Sequence, residues 1–179
     1  MSSNVITGRW TSSRVWGFPN PVNEKAARTV AAGVLMLAGL TLALSLIASA
    51  DWLWVCALLA AGFVARVLTG PTLSPLGRLA TQVIAPRLGE PKMVPGPPKR
   101  FAQAVGAVVT SAATIATAVG ATGLAQMLLG LIIVAAGLES IFAFCIGCVV
   151  FAALMRAGVV PEKACEACAN VQTTMSIRR

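Results

Sequence analysis

The chain has 179 residues, enough for one compact domain, but its composition is not that of a water-soluble protein. Hydrophobic residues make up 57% and charged residues only 11%, whereas soluble chains carry about 25% charged residues. Histidine is absent, which excludes histidine acid–base catalysis and histidine metal ligands. The composition therefore predicts an integral membrane protein whose chemistry depends on other side chains.

Four apolar stretches follow a polar segment at residues 1–25 and predict membrane spans at about 26–49, 52–68, 102–122 and 126–154. About 20 helical residues cross the hydrocarbon core, so each stretch suits one helix. A loop at 69–101 separates the second and third spans, and a polar tail occupies 155–179. The predicted fold class is all-α, a bundle of four transmembrane helices in a lipid bilayer.

The central loop contains one further predicted helix, at about 75–88. Ser74 is suited to be its N-cap and Pro75 its first helical residue. Apolar residues then recur at helical spacing among polar ones, which predicts an amphipathic helix lying in the membrane surface. Residues 89–100 are rich in proline, and we expect them to form an irregular tether.

The charges predict the orientation of the chain in the cell membrane. Lys and Arg total fourteen against six Asp and Glu, a formal net charge of +8. Four of the basic residues lie in or just after the N-terminal segment, six between Arg66 and Arg100, and four from Arg156 onward. The two short connections, near Asp51 and at 120–123, have none. The positive-inside rule then places both termini and the central loop in the cytoplasm, and no nucleic-acid partner is needed to explain the basic residues.

Small residues repeat at close to four-residue spacing along the third span, which indicates close helix packing. We expect this packing to lie within the bundle, with a homodimer seam as the alternative. The residues are Gly106, Thr110, Ala112, Ala116 and Gly120.

Four of the five cysteines form two Cys-x-x-Cys pairs, Cys145/Cys148 and Cys165/Cys168, sixteen residues apart. This spacing is typical of four-cysteine zinc sites, and four thiolates also suit a single iron. Cys145 and Cys148 are predicted late in the fourth span, with Cys165 and Cys168 in the tail that follows. The fifth, Cys56, is predicted to pack inside the second span.

Three interpretations of the paired cysteines remain open. In the first, a Zn (or Fe) site clamps the tail onto the fourth helix of a scaffold or accessory subunit. In the second, the pairs relay disulfides or persulfides for a thioredoxin-like or sulfurtransferase partner in the cytoplasm. In the third, the cysteines only pack. Whether the protein is an enzyme stays open, and Cys165, Cys168, Cys145 and Cys148 are the candidate catalytic residues.

Glu139 is a further candidate, since a carboxylate within a predicted span costs several kcal/mol. It is expected either to bond neighbours inside the bundle, among them Ser140, Gln126, Thr110, Ser111 and Arg66, or to transfer protons or bind a ligand.

Several short stretches together resemble a known family. They are residues 18–24 (FPNPVNE), 63–71 (FVARVLTGP), 74–80 (SPLGRLA) and 99–103 (KRFAQ), with both cysteine pairs. The chain resembles, over about 18–168, small four-span membrane proteins common in actinobacteria and catalogued as domain of unknown function 4395. The resemblance implies no established activity. Through an association of such proteins with thioredoxin-like or sulfurtransferase proteins, it favours sulfur or redox chemistry.

Overall fold

Four helices long and apolar enough to cross a membrane form the body of the protein. The structure, a computed structural model, describes residues 20–71 and 73–160; the second cysteine pair, Cys165/Cys168, lies outside these residues. The first span is α1 (Glu24–Ile47). The second begins with a 3-10 turn, Ala50–Trp54, and continues as α2 (Val55–Thr69). The predicted all-α bundle of four membrane-spanning helices is confirmed, as befits a multi-pass membrane protein.

The third span is α4 (Gly96–Ala118), which begins earlier than the predicted 102 and ends earlier than 122. Pro97 and Pro98 occupy its first turn, where the N–H that proline lacks has no helical partner in any case. Residues 96–100 are therefore helical rather than part of an irregular tether. As a result, Lys99 and Arg100 belong to α4.

The predicted fourth span, 126–154, is two helices in the structure. The first, α5 (Thr122–Phe142), is already about 30 Å long at 1.5 Å per residue, which is the thickness of the hydrocarbon core. The chain leaves it through Ala143, whose φ of 57° is left-handed. After this break, α6 (Ile146–Arg156) is too short to cross.

The central loop is helical over 75–88, where the amphipathic helix is predicted; its position in the membrane surface stays a prediction. One α-turn, α3 (Pro75–Arg78), continues as a π-helical stretch, Leu79–Ile84, and a 3-10 turn, Ala85–Leu88. The Ser74 side chain accepts a hydrogen bond from the Gly77 N–H, as its N-cap position predicts. Beyond it, β2 (Met93–Val94) pairs antiparallel with β1 (Val22–Asn23), with Val22 opposite Val94. This short pair joins the loop to the start of α1.

The helices pack in an order that differs from their order in the chain. α2 packs chiefly on α4, α1 packs on α5, and α4 and α5 contact each other, whereas α1 and α2 touch little. The start of α1, the end of α2, the start of α4 and the end of α5 meet at one end of the bundle, which we call the basic end. Large apolar side chains on the outer faces, such as Met36, Leu58 and Val108, are exposed and suit contact with lipid.

The small residues of α4 pack within the bundle. Gly106, Thr110 and Ala116 are buried, and Gly106 lies directly against the ring of Phe63 on α2. A methyl group at Gly106 would overlap that ring. Three of the five predicted small residues thus pack within the bundle, whereas Ala112 is half-buried and Gly120 is exposed beyond the end of α4. The homodimer seam stays a prediction.

Replacing Gly106 with alanine is expected to lower the free energy of unfolding by about 1–3 kcal/mol, because the Phe63 ring must shift in a filled core. The matched control is Gly130→Ala in α5, where nothing lies within 4 Å of the added Cβ. This change is expected to raise stability by up to about 1 kcal/mol, since alanine favours the helix over glycine. Thermal unfolding in detergent measures both, and equal shifts would contradict the packing described.

Candidate functional site

The basic end brings together Cys145, Cys148 and Glu139, three of the candidate residues. Cys145 and Glu139 line one cavity between α4, α5 and α6. Cys56 lies apart, fully buried in the core on α2, as its packing role predicts. Cys165 and Cys168 lie outside the described residues, so the predicted meeting of four thiols stays a prediction.

Cys145 and Cys148 begin a helix, in contrast to the predicted position late in one. Cys145 is the N-cap of α6, and its Sγ accepts a hydrogen bond of 3.3 Å from the backbone N–H of Cys148. The Cys148 thiol also donates to the Cys145 Sγ, and the two sulfurs are 2.6 Å apart. A helix N-terminus favours negative charge, so this position favours a thiolate at Cys145.

The pair is electrostatically asymmetric, and both thiols lie beyond the end of the fourth span. The hydrogen bond from the Cys148 thiol lowers the pKa of Cys145; Lys99 and the Cys148 N–H act in the same direction, against burial and Glu139. The same bond and burial raise the pKa of Cys148. Of the two thiols, Cys145 is thus the one that loses its proton more readily. Cys145 is only 8% exposed, whereas Cys148 is half-buried.

Glu139 forms an ion pair with Lys99, with 2.6 Å between Oε1 and Nζ. Their side chains are only 14% and 10% exposed. Among the described residues, Glu139 has no hydrogen bond to the partners expected for it: Arg66 bonds Gln103 and Ser74 instead. Its partner Lys99 lies in the segment predicted as a loop. Because α5 ends at Phe142, Glu139 lies in its last turn rather than deep in a span. The sequence contains a signal for the position of Lys99: Pro97 and Pro98 suit the first turn of a helix, and a helix that begins there includes Lys99.

Glycine between the cysteines allows α6 to dock on α4. A Cβ at Gly147 would lie 2.6 Å from the Cβ and 2.7 Å from the Cα of Ala102, closer than real atoms approach. One turn further on, the rings of Phe151 and Phe101 pack in a tilted arrangement, with centroids 5.7 Å apart and an angle of 55° between the ring planes. These contacts place Cys145 and Cys148 beside the first turns of α4.

At the basic end, arginine side chains donate hydrogen bonds to the backbone carbonyls in the last turns of neighbouring helices. The Arg28 guanidinium donates to the carbonyls of Ser140 and Ile141 at the end of α5, at 3.0–3.2 Å. Arg100 donates to Val67 in the last turn of α2, at 3.1 Å. Helix C-termini carry unpaired carbonyls and partial negative charge, so these arginines stabilise both ends.

Arg66 is a buried hub between α2, α4 and the central loop. It is 5% exposed and donates from Nε to Gln103 Oε1 at 2.8 Å and from Nη1 to Ser74 Oγ at 3.1 Å. Its guanidinium also lies 4.4 Å from the centre of the Phe63 ring, a cation–π distance. The side chain is therefore held inside the protein and does not reach the lipid headgroups.

A cavity of about 350 Å³ lies next to the dithiol. Helices α1, α2, α4, α5 and α6 all contribute to its wall, which is mostly apolar. Its polar lining residues are Gln103, Glu139 and Cys145. We call it the α4–α5 cavity.

Two thiols and one carboxylate are the residues here that could hold a metal. Within residues 20–71 and 73–160 no group of three or more cysteine or acidic side chains has metal-binding geometry. Glu139 is paired with Lys99. The four-cysteine Zn or Fe site stays a prediction, since two of its ligands, Cys165 and Cys168, lie outside the described residues.

Removing the Cys148 donor is expected to raise the pKa of Cys145. In a chain with Cys56, Cys165 and Cys168 replaced by alanine, the iodoacetamide reaction rate of Cys145 should reach half its maximum at higher pH after Cys148→Ala. Cys148→Ser, which keeps a hydroxyl donor, should shift the midpoint less. Superimposable pH profiles for the three chains would contradict the hydrogen bond's effect.

Breaking the buried ion pair is expected to destabilise the protein. Lys99→Met and Glu139→Leu should each cost on the order of 3 kcal/mol, because each leaves an unpaired buried charge. The double variant should lose less than the sum of the two. Lys92→Met is the comparison: it removes a 70% exposed lysine from Glu24, whose side chain is 12% exposed but lies in the first turn of α1, where the helix N-terminus still stabilises its charge. It should therefore cost less than either buried-pair variant. Thermal unfolding compares the four, and additive losses would contradict the pairing.

Comparison with known proteins gives one match. A family model described as a domain of unknown function (DUF4395) matches residues 22–156. No curated protein and no solved structure is significantly similar to the chain. The match covers α1 to the end of α6, including the Cys145/Cys148 pair, and about three quarters of the chain. The protein therefore belongs to the family defined by this domain of unknown function.

Proposed function

We propose that the protein is a membrane thiol–disulfide exchange protein whose working pair is Cys145 and Cys148. The observation that supports this most is the position of the pair at the start of α6, where the Cys148 N–H and thiol both donate to the Cys145 sulfur. A cysteine pair of this kind at a helix N-terminus, with a lysine near it, is the arrangement that stabilises a reactive thiolate.

The asymmetry of the two thiols assigns their roles. In the oxidised state, a thiolate of the partner attacks the Cys148 sulfur, which is the more exposed, and the bond between the two cysteines breaks. Cys145 leaves as the stabilised thiolate. In the mixed disulfide, the partner's second thiolate then attacks the partner sulfur that is bonded to Cys148. The partner's own disulfide forms, and Cys148 leaves and takes up a proton. The partner is oxidised by two electrons, and the Cys145/Cys148 pair is reduced.

Two sources of the incoming thiolate fit this step. One is the Cys165/Cys168 pair of the same chain, and the other is a thioredoxin-like protein. Under the positive-inside rule, the basic end and both termini lie on the cytoplasmic side of the cell membrane, where such thiols are kept reduced. A sulfurtransferase partner would instead leave a sulfur atom on Cys145, a persulfide relay that uses the same thiolate.

The metal clamp is the alternative function. It requires Cys145 and Cys148 to join Cys165 and Cys168 around Zn or Fe in a scaffold or accessory subunit. What favours it is the spacing of the four cysteines along the chain. The exchange proposal is preferred because its geometry is complete within the first pair.

Titration of the purified protein in glutathione redox buffers tests the exchange. We expect a reversible disulfide between Cys145 and Cys148, measured by maleimide trapping and mass spectrometry, that persists in a Cys165→Ser/Cys168→Ser variant. Cys145→Ser and Cys148→Ser should each abolish it. Cys56→Ser is the matched control and should have no effect, since that residue is buried apart from the pair.

Three results would contradict this expectation, and each would support a different role for the cysteines. Thiols that stay free even in oxidising buffers would leave only packing. One zinc per chain in anaerobically purified protein, lost in Cys165→Ser/Cys168→Ser, would support the clamp. A mass increase of one sulfur atom on Cys145 after incubation with a sulfurtransferase and its sulfur donor, without a disulfide, would support the persulfide relay.

A further inference from the structure

We propose that the α4–α5 cavity binds the ring of a membrane-soluble quinone, and that this quinone is the oxidant that converts the Cys145/Cys148 dithiol to a disulfide. The inference rests on the proposed exchange function and supplies what that function lacks. Each cycle leaves the pair reduced, so an acceptor of two electrons must restore the disulfide.

The size and lining of the cavity suit a flat apolar ring. Its volume of about 350 Å³ lies within the range of small-molecule sites, which begins near 300 Å³. Phe63 and Phe101 contribute aromatic side chains, and valine, alanine and leucine form most of the remaining wall. A charged or strongly hydrated ligand would lose its hydration in such a wall without replacement.

The cavity borders the lipid-facing surface of the bundle. Leu131 on α5 lines it and is 61% exposed, and Val105 on α4 and Val150 on α6 line it and are each 43% exposed. All three belong to the outward-facing apolar surface, which suits contact with lipid. A ligand dissolved in the bilayer can therefore enter from the side, between the helices.

Polar groups collect where a quinone would present its carbonyl oxygen. Oε1 of Gln103 accepts the hydrogen bond from Arg66. The amide N–H₂ of Gln103 is therefore left as a donor that no hydrogen bond between described residues uses. Cys145 and Glu139 line the same cavity. A quinone held there has its reducible ring next to the Cys145 sulfur and the Lys99–Glu139 ion pair.

The two cysteines of the dithiol are accessible from different sides, one from the cavity and the other from solvent. Cys145 lines the cavity and is buried from solvent, whereas Cys148 does not line it and is more exposed. An electron acceptor in the membrane therefore meets Cys145, and a protein thiol outside meets Cys148. This division separates the step that reduces the pair from the step that oxidises it.

The oxidation balances as a two-electron reaction. A bond forms between the two sulfurs, the S–H bond of Cys148 breaks, and the pair gives up two electrons. The quinone takes these electrons with two protons and becomes a quinol. One proton is that of Cys148, and the other enters from solvent at the basic end, where the Lys99–Glu139 pair lies beside the cavity. Quinones are the final oxidant of protein dithiols in the bacterial periplasm, so electron transfer from a dithiol to a quinone has a chemical precedent.

Anaerobic mixing of the reduced full-length protein in detergent with ubiquinone-1, and separately with menadione, tests the inference. We expect one quinol formed per disulfide, followed by absorbance and thiol counting, and no reaction in Cys145→Ser. Ala135→Phe, which fills the cavity, should slow quinone reduction at least tenfold. Ala61→Phe is the matched control on the lipid-facing side of α2 and should react like the wild type.

Exchange with glutathione disulfide, measured on every chain, separates the two proposals and reports folding. Ala135→Phe is expected to keep this exchange; if it does not fold, Val105→Trp at the rim of the cavity replaces it. Wild-type protein that exchanges with glutathione but reduces neither quinone would overturn the quinone inference alone. Loss of both reactions in the wild type would overturn both proposals. Equal quinone rates for Ala135→Phe, Val105→Trp and Ala61→Phe would overturn the cavity as the site.

Discussion

The ion pair between Lys99 and Glu139 is the constraint on which the basic end depends. Two charges held 2.6 Å apart in a nearly dry site are stable only as a pair, because either alone would have to be desolvated without compensation. The pair therefore fixes the first turn of α4 against the last turn of α5. The two helix ends then define the wall of the α4–α5 cavity and the place where α6 begins. The lysine also contributes to the charge of the thiol next to it.

The basic residues of this end also make contacts that the orientation predicted for them does not require. Membrane topology requires Lys and Arg near one side of the bilayer, but it does not specify which atoms they contact. In this structure Arg28 and Arg100 donate to carbonyls in the last turns of α5 and α2. Lys25 donates to the carbonyl of Leu88 at 2.7 Å. Each of these carbonyls lies at the end of a helical segment. The side chains from which the orientation is predicted thus also bind the ends of helices.

The sequence predicts the four apolar helices, a helical stretch near 75–88 and the Ser74 cap, because these follow from local hydropathy and from turn chemistry. The break between α5 and α6 could not be predicted in this way. Residues 143–145 contain neither glycine nor proline, and the left-handed Ala143 is an unfavourable conformation that only long-range contacts maintain. Those contacts are Arg28 on the end of α5 and the docking of α6 on α4. For the same reason the position of the cysteines at a helix start, and the partner of Glu139, depend on tertiary structure.

Gly147 has a consequence for how the dithiol can vary. In many proteins with a Cys-x-x-Cys pair, the two residues between the cysteines can differ from one protein to another, and such differences tune the thiols. Here one of those two positions lies against the backbone of Ala102, so any larger residue would push α6 away from α4. Adjusting the chemistry through that position would therefore cost the docking of the whole helix. Substitutions that change the pKa of the thiols without undocking α6 are therefore confined to Ile146 and to residues of other helices, above all Lys99 and Glu139. Because Lys99 and Glu139 also join α4 to α5, such changes alter the dithiol chemistry and the bundle packing together.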